Sequence, residues 1–194
     1  MIITFEGGEG TGKTTQAALL KQYFEQTNRP VMMMREPGGS PLSEKIRSLV
    51  LHEPMDPLTE LMLILAGRRE NIKGLIEPAL DSGRIVIIDR FIDSTLVYQG
   101  IAGGLGIERV RDIMQATGTW LVPDLTLVLD LDPAMAATRY TPDDRFERRD
   151  PGYHRRLREG FLHIATEPRH RIFDTTASKQ AVFEAVREAV ETDH

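Results

Sequence analysis

The sequence predicts an α/β fold in which a five-stranded parallel sheet carries helices on both faces. Short apolar segments alternate along the chain with longer segments of helical periodicity, which is the pattern of successive strand–helix–strand units. Two of the apolar segments, 86–88 and 125–129, are almost free of polar residues, which indicates strands buried on both faces of the sheet. The third observation that favours this fold is a glycine-rich loop between the first apolar segment and the first helical segment.

The individual elements follow from the spacing of the apolar residues. Strands are predicted at residues 2–6, 30–35, 84–89, 125–130 and 171–173. Helices are predicted at residues 16–24, 43–51, 58–80, 108–117, 152–165 and 179–191. The segment 58–80 is long and apolar enough to be a central, mostly buried helix, whereas four glycines between 100 and 106 predict a flexible loop. No linker or repeat interrupts the pattern, so residues 1–194 are expected to form one domain.

Composition narrows the class of protein. The chain has no cysteine, which excludes disulfides and thiolate chemistry. Its formal net charge of −5 disfavours a general nucleic-acid binder, so any phosphate-binding site must be a local basic patch. No stretch approaches the ~20 apolar residues that span a bilayer, and no signal peptide is visible. A cytoplasmic protein without membrane or nucleic-acid partners is therefore expected.

The glycine-rich loop carries the strongest chemical signal. It fits the G-x-x-x-x-G-K-[ST] pattern, which here consists of Gly7, Gly8, Glu9, Gly10, Thr11, Gly12, Lys13 and Thr14. Backbone N–H groups of such a loop surround phosphate oxygens, and the following helix adds a partial positive charge. In this reading Lys13 reaches the β- and γ-phosphates and Thr14 ligates Mg²⁺. The alternative is an ordinary glycine-rich turn at the start of a helix.

Charged residues lie at the ends of three predicted strands. In a parallel sheet these ends form one edge, where ligands bind. Glu6 ends the first strand, residues 35–39 follow the second, and Asp89 and Arg90 follow the third. Asp89 suits a Mg²⁺-associated carboxylate, and Arg90 suits a bidentate phosphate clamp. The alternatives are a helix-capping Asp89 and an Arg90 paired with Asp93 on the surface.

Arg68 and Arg69 interrupt the apolar helical segment 58–80. One of the two should face inward, where an unpaired guanidinium is costly, so a ligand or a carboxylate is expected beside it. The alternative is a surface pair whose charged ends extend to water.

The polar segment at about 140–150 separates two predicted helices and is dense in charged and turn-forming residues. Its composition fits a mobile lid that brings Arg145, Arg148 or Arg149 over a transferring phosphate. A solvated loop with local ion pairs is the alternative.

Five blocks of the sequence resemble bacterial thymidylate kinases in order and spacing. They are FEGGEGTGKTTQ at 5–16, REPGG at 35–39, DRFIDSTLVYQG at 89–100, PDLTL at 123–127 and DRFE at 144–147. The resemblance covers nearly the whole chain. It implies a phosphate-loop nucleoside-monophosphate-kinase fold with a short lid, a homodimer, and the reaction of Mg²⁺–ATP with dTMP to ADP and dTDP. The apolar faces at 58–65 and 72–80 then form either the dimer interface or core.

The resemblance also assigns roles to individual residues. The ATP phosphates would be held by Gly7, Gly8, Glu9, Gly10, Thr11, Gly12, Lys13, Thr14 and Thr15. The dTMP site would contain Glu9, Arg35, Glu36, Arg47, Ile64, Arg68, Arg90, Ser94, Thr95, Tyr98 and Gln99. Thr14 and Asp89 would hold Mg²⁺, partly through water. Glu9, Lys13, Arg90 and the lid residue Arg145 would act in the transfer itself, and residues 174–176 would lie near adenine.

Three departures from the family pattern bear on the substrate. Ile64 stands where the family typically has a phenylalanine that stacks on thymine, Thr95 replaces a serine, and the lid is short. Loss of the ring is expected to cost on the order of 1 kcal/mol of stacking. These departures leave open a kinase for another pyrimidine deoxynucleotide such as dUMP. A non-catalytic nucleotide-binding protein is the third alternative.

Overall fold

The structure, a computed structural model, describes residues 1–192, so the last two residues of the predicted domain lie outside the described part. Within that part, five strands form one sheet in the order β2-β3-β1-β4-β5, and every neighbouring pair is parallel. The strands are β1 (Ile2–Glu6), β2 (Val31–Arg35), β3 (Ile85–Asp89), β4 (Leu125–Asp130) and β5 (His170–Asp174). The predicted α/β class and all five predicted strands are confirmed.

Helices cover both faces of this sheet. They are α1 (Lys13–Gln26), α2 (Pro41–His52), α3 (Pro57–Asn71), α4 (Glu77–Asp81), α5 (Ile92–Thr95), α6 (Ile107–Ala116), α7 (Pro133–Ala136), α8 (Pro151–Ile164) and α9 (Lys179–Thr192). Two π-helical segments, Ile72–Ile76 and Leu96–Ala102, continue α3 and α5. The predicted helix at 58–80 is therefore α3, a π-helical turn and α4 in succession. Among the described residues, no helix has the length and apolar character required to cross a membrane.

The helix over 92–102 escaped sequence analysis. Residues 91–100 are all buried, so the segment has no solvent-exposed face and its sequence shows no amphipathic periodicity. The prediction of a flexible loop at 100–106 is wrong for Gly100, which lies within the π-helical segment Leu96–Ala102. Gly103 follows this segment, and a Cβ atom there would lie only 2.8 Å from the Gln99 carbonyl oxygen, so the end of the π-helical segment requires a glycine.

Alternate side chains of the strands form two apolar layers. Ile3 and Phe5 of β1 face α1 and α9, where they pack with Leu20 and Val186. Ile2 faces the opposite layer, which contains α3 and α6. Burial of both sheet faces leaves the strand ends as the place where polar groups meet a cavity.

The apolar face predicted at 58–65 and 72–80 is mostly core. Leu61, Leu65, Ile72 and Ile76 are all buried in the layer beneath the sheet. Met62 is the exception, because 62% of its surface remains exposed.

Candidate active site

A cavity of about 630 Å³ opens at the carboxyl edge of the sheet. The phosphate loop and α1 form one end of it, and α3, α5 and the π-helical segment Leu96–Ala102 form the other. The predicted lid segment at about 140–150 forms turns and contributes Phe146 and Glu147 to the wall.

The phosphate loop adopts a backbone that only glycine fits. Gly7 and Gly10 have φ values of 131° and 68°. A Cβ atom would lie 2.3 Å from the Leu129 carbonyl oxygen at Gly7, and 2.6 Å from that of Ala136 at Gly10. Because α1 begins at Lys13, directly after the loop, its N-terminal N–H groups point toward the cavity.

Lys13 is buried at the base of the loop, where its Nζ donates to the Gly8 carbonyl oxygen over 2.5 Å. Burial and the nearby Arg90 guanidinium lower the pKa of Lys13 to about 8, although Glu9 and Asp89 oppose this shift. The ammonium group is thus a poorly solvated cation without a carboxylate in direct contact. Such a group gains most from an incoming phosphate.

Asp89 ends β3 and accepts a hydrogen bond from the Thr14 hydroxyl over 2.5 Å. The two residues assigned to Mg²⁺ are therefore adjacent, and their part in holding the ion stays a prediction. The helix-capping alternative is wrong, because no side chain caps the N-terminus of α5.

Arg90 has a left-handed backbone, with φ of 69°, which directs its side chain under the phosphate loop. Its guanidinium donates to Glu9 Oε1 over 2.7 Å and to the Gly7 carbonyl oxygen over 2.9 Å. Tyr98 donates to the same Glu9 oxygen over 2.8 Å. Although burial opposes the shift, Arg90 and Lys13 lower the pKa of Glu9 to about 2. Glu9 therefore keeps its charge and holds Arg90 at the centre of the cavity.

Asp93 does not pair with Arg90, so that alternative is wrong. It instead accepts two hydrogen bonds from Arg169, of 2.8 and 3.0 Å, and lies 3.2 Å from His170 Nε2. Glu6 supports Arg90 from behind, since it accepts a 2.7 Å hydrogen bond from the Phe91 amide, one residue further on. Burial and the Asp93 carboxylate raise the pKa of Glu6 to about 7.

Arg68 is the inward-facing member of the arginine pair, and a carboxylate lies beside it as predicted. Only 2% of Arg68 is exposed. Its Nε donates to Glu36 Oε2 over 2.7 Å, and its Nη2 donates to Thr95 Oγ1 over 2.8 Å. Asn71 donates to the other Glu36 oxygen over 3.1 Å. Arg69 is exposed and contacts the Gly118 carbonyl oxygen.

The residues assigned to the acceptor site all line this one cavity. They are Glu9, Arg35, Glu36, Arg47, Ile64, Arg68, Arg90, Ser94, Thr95, Tyr98 and Gln99. On the phosphate-loop side, residues 9–15 line it, whereas Gly7 and Gly8 lie behind the wall. Thr175, from the segment expected near adenine, also lines it.

Arg145 lies elsewhere than the sequence analysis expected. It forms an ion pair with Glu60 of α3, and its Nε donates to the Val50 carbonyl oxygen over 2.6 Å. It therefore lies against α2 and α3 rather than over the phosphate loop, because the buried Glu60 carboxylate attracts it. Its part in the transfer stays a prediction. Arg149 lies over the Tyr153 ring, with its guanidinium carbon 5.5 Å from the ring centre.

Three residues of this region were not among the site residues predicted from the sequence. Arg139 lines the cavity next to the phosphate loop and donates to the Thr175 carbonyl oxygen over 2.9 Å. Phe146 lies beside Ile64 in one apolar cluster, with its ring 5.8 Å from that of Tyr98. Glu60 is buried between α3 and the lid. The DRFE block contains Phe146, but no sequence pattern shows which way its ring points.

Comparisons with known proteins agree with this architecture. The thymidylate kinase family model matches residues 5–186. A thymidylate kinase of Symbiobacterium thermophilum is 43% identical over 98% of this chain and 92% of that protein. One of Synechococcus sp. is 44% identical over 91% of this chain and 86% of its own. The crystal structure of thymidylate kinase from Ehrlichia chaffeensis superimposes with a TM-score of 0.81 at 34% identity, covering 98% of both chains.

The fold and the site define a phosphate-loop kinase of the nucleoside-monophosphate-kinase class. The phosphate loop occupies one end of the cavity, and a second group of arginines occupies the other, as an acceptor that already carries a phosphate requires. The chain belongs to the thymidylate kinase family.

The buried Arg68–Glu36 pair yields a stability prediction. Arg68→Met leaves the Glu36 carboxylate buried without its counter-charge, so we expect a loss of about 3–5 kcal/mol in the free energy of unfolding. Arg69→Met is the matched control, since it removes an exposed guanidinium one residue away and should cost less than about 0.5 kcal/mol. Urea denaturation of both variants measures the difference, and equal losses would contradict the assignment.

Proposed function

We propose that this protein transfers the γ-phosphoryl group of ATP to dTMP, forming ADP and dTDP in the synthesis of dTTP for DNA replication. The observation that carries the proposal is a cavity lined by cationic groups along its length: Lys13 and the α1 N-terminus on the donor side, Arg90 near the middle and Arg47 on the acceptor side. Membership of the thymidylate kinase family supports ATP as donor and dTMP as acceptor.

Charge neutralisation is the main task of this site, because two polyanions must approach each other. Lys13 contacts the donor phosphates, and Arg90 grips the acceptor phosphate near the middle of the cavity. The acceptor phosphate oxygen is already a competent nucleophile, so no strong general base is required. Closure of the lid excludes water and thereby limits hydrolysis of ATP. Arg139 is placed to contact the donor nucleotide, and Arg145 reaches it only if it leaves Glu60.

The side-chain oxygens of Thr14 and Asp89 suit Mg²⁺. Thr14 and Asp89 offer a hydroxyl and a carboxylate oxygen 2.5 Å apart beside the phosphate loop. Among the described residues no cluster of three or more metal-ligating side chains exists, which agrees with an ion that is held mainly by substrate phosphates and water. When bound, Mg²⁺ would neutralise phosphate charge, and Thr14 and Asp89 would hold it, partly through water.

The base pocket favours a flat, apolar ring beside Ile64. Phe146 enters this pocket from the lid, so an aromatic side chain is present even though Ile64 replaces the usual phenylalanine. A thymine methyl group fits such a surface. Ile64 supports a second candidate, a kinase that also accepts another pyrimidine deoxynucleotide such as dUMP, since a smaller side chain at this position leaves the pocket wider.

A panel of acceptors separates these candidates. ADP release with Mg²⁺–ATP is measured for dTMP, dUMP, dCMP, dGMP, dAMP and thymidine. We expect dTMP to have the highest kcat/KM and thymidine to be inactive, because Arg90 needs a phosphate to bind. Preference for dUMP would move the substrate while keeping the reaction. ATP binding without transfer to any acceptor would establish the non-catalytic alternative.

The buried ammonium group of Lys13 predicts a pH dependence of ATP binding. Its pKa is lowered to about 8, so the charged form that binds phosphate is present below that pH and is lost above it. We expect the Kd for ATP to rise by up to about tenfold per pH unit above pH 8. Isothermal titration calorimetry between pH 7 and pH 9.5 measures this rise. Lys13→Met should bind weakly with a flat profile, and a flat profile in the unaltered protein would refute the assignment.

A homodimer is the assembly we propose. Leu42 and Leu49 of α2 and Met62 of α3 are 49%, 47% and 62% exposed on two helices that pack together. Large exposed apolar side chains on two adjoining helices are typical of a protein–protein contact. We expect sedimentation velocity to show a dimer that Met62→Glu converts to monomers. Val122→Glu, at a similarly exposed site, should leave the dimer intact; an unaltered protein that sediments as a monomer contradicts the proposal.

A cytoplasmic location and the lack of a nucleic-acid partner stay predictions from composition. The acidic net charge and the absence of cysteine support them.

A further inference from the structure

Glu60 connects the lid with the acceptor end of the cavity. It lies on α3 with only 7% of its surface exposed. Its Oε1 accepts a 2.7 Å hydrogen bond from Gln99 Nε2, and its Oε2 pairs with Arg145 of the lid. Gln99 lines the acceptor end of the cavity, whereas Glu60 does not. Glu60 therefore touches a cavity residue from behind.

The chemistry of this contact determines how the Gln99 side chain is turned. A side-chain amide has one donor end and one acceptor end, and an ionised carboxylate can only accept. Gln99 must therefore turn its NH₂ group toward Glu60, and its carbonyl oxygen toward the other side. No described residue donates to that oxygen, and it is not among the buried atoms that lack a partner. The free acceptor thus belongs to the cavity side of Gln99.

Arg145 keeps this arrangement electrically balanced. A buried carboxylate without a counter-charge is costly, and the Arg145 guanidinium supplies that charge on the side away from Gln99. Because Arg145 pairs with Oε2 and Gln99 donates to Oε1, the two contacts use different oxygens of the Glu60 carboxylate.

A second wall of the pocket carries the opposite hydrogen-bonding character. Arg68 is a donor only, and it is tied to Thr95, four residues before Gln99 on the same helical stretch. Thymine and uracil present an N3–H donor beside the O4 acceptor, whereas cytosine presents an N3 acceptor beside an amino group. An acceptor at Gln99 and a donor at Arg68, which both line the cavity, match thymine and uracil and oppose cytosine.

We propose that Glu60 is a positioning residue for base selection: by holding the Gln99 amide with its carbonyl oxygen toward the cavity, it makes the acceptor site favour a pyrimidine with a protonated ring nitrogen over cytosine. The inference rests on the proposed function, because it assumes that a pyrimidine nucleotide occupies this end of the cavity.

Glu60→Gln tests the proposal. A glutamine at position 60 can donate as well as accept, so Gln99 is free to turn its NH₂ group into the cavity. Sites that pair buried polar groups reject mismatched ligands strongly, so we expect the ratio of kcat/KM for dTMP to that for dCMP to fall by about tenfold or more. The kcat/KM for dCMP itself should rise. A residue that only supports the fold would lower both values together and leave the ratio unchanged, and that outcome would overturn the proposal.

Two further variants keep the test decisive. Arg145→Met removes the other partner of Glu60 but leaves the carboxylate facing Gln99, so the dTMP-to-dCMP ratio should stay within about twofold of the unaltered protein even if turnover drops.

Gln99→Met removes the carbonyl oxygen, so it should lower kcat/KM for dTMP more than for dCMP. If Glu60→Gln does not fold, an unchanged ratio in Gln99→Met refutes the proposal. Failure of the proposed function itself is distinguishable, because the unaltered protein would then not phosphorylate dTMP.

Discussion

The buried ion pair between Arg68 and Glu36 is the interaction on which the acceptor half of the structure depends. A guanidinium and a carboxylate at 1% and 3% side-chain exposure are tolerated only when their hydrogen-bonding groups are satisfied. Satisfying them requires three segments to meet: α3, which carries Arg68, the loop after β2, which carries Glu36, and α5, which provides Thr95. The pair therefore determines the width of the cavity between these segments before any ligand binds.

The two halves of the cavity are joined by carboxylates that hold the cations in place. Glu9 is part of the phosphate loop but accepts from Arg90 on the acceptor side, so the donor and acceptor regions share one ion pair. Glu6 lies directly beneath and holds the backbone next to Arg90. The buried Arg90 guanidinium is thus neutralised by the Glu9 carboxylate. A phosphate that binds at Arg90 therefore meets a guanidinium that the Glu9 carboxylate already holds in place.

The lid is attached to the protein by contacts that also concern the base. Phe146 packs beside Tyr98 at the acceptor pocket, and Arg145 pairs with Glu60, which in turn holds Gln99. A short lid without regular secondary structure needs such anchors, since its own backbone forms few hydrogen bonds. Movement of this segment over the donor phosphates must therefore break contacts beside the acceptor. The geometry links closure of the lid to the pocket that selects the base.

The parallel α/β sheet, the phosphate loop and the strand-end residues Asp89 and Arg90 could all be predicted from the amino-acid sequence. These features depend on local patterns: apolar periodicity, glycines where φ is positive, and the shared edge at which parallel strands end. The structure was needed to show that the stretch after Arg90 is a helix, because a segment buried on every side has no solvent-exposed face to reveal its period. It also decided that Arg145 pairs with Glu60, 85 residues away in sequence, rather than with the phosphate loop. The direction of a long charged side chain is determined by the nearest buried counter-charge, and that neighbour exists only once the chain has folded.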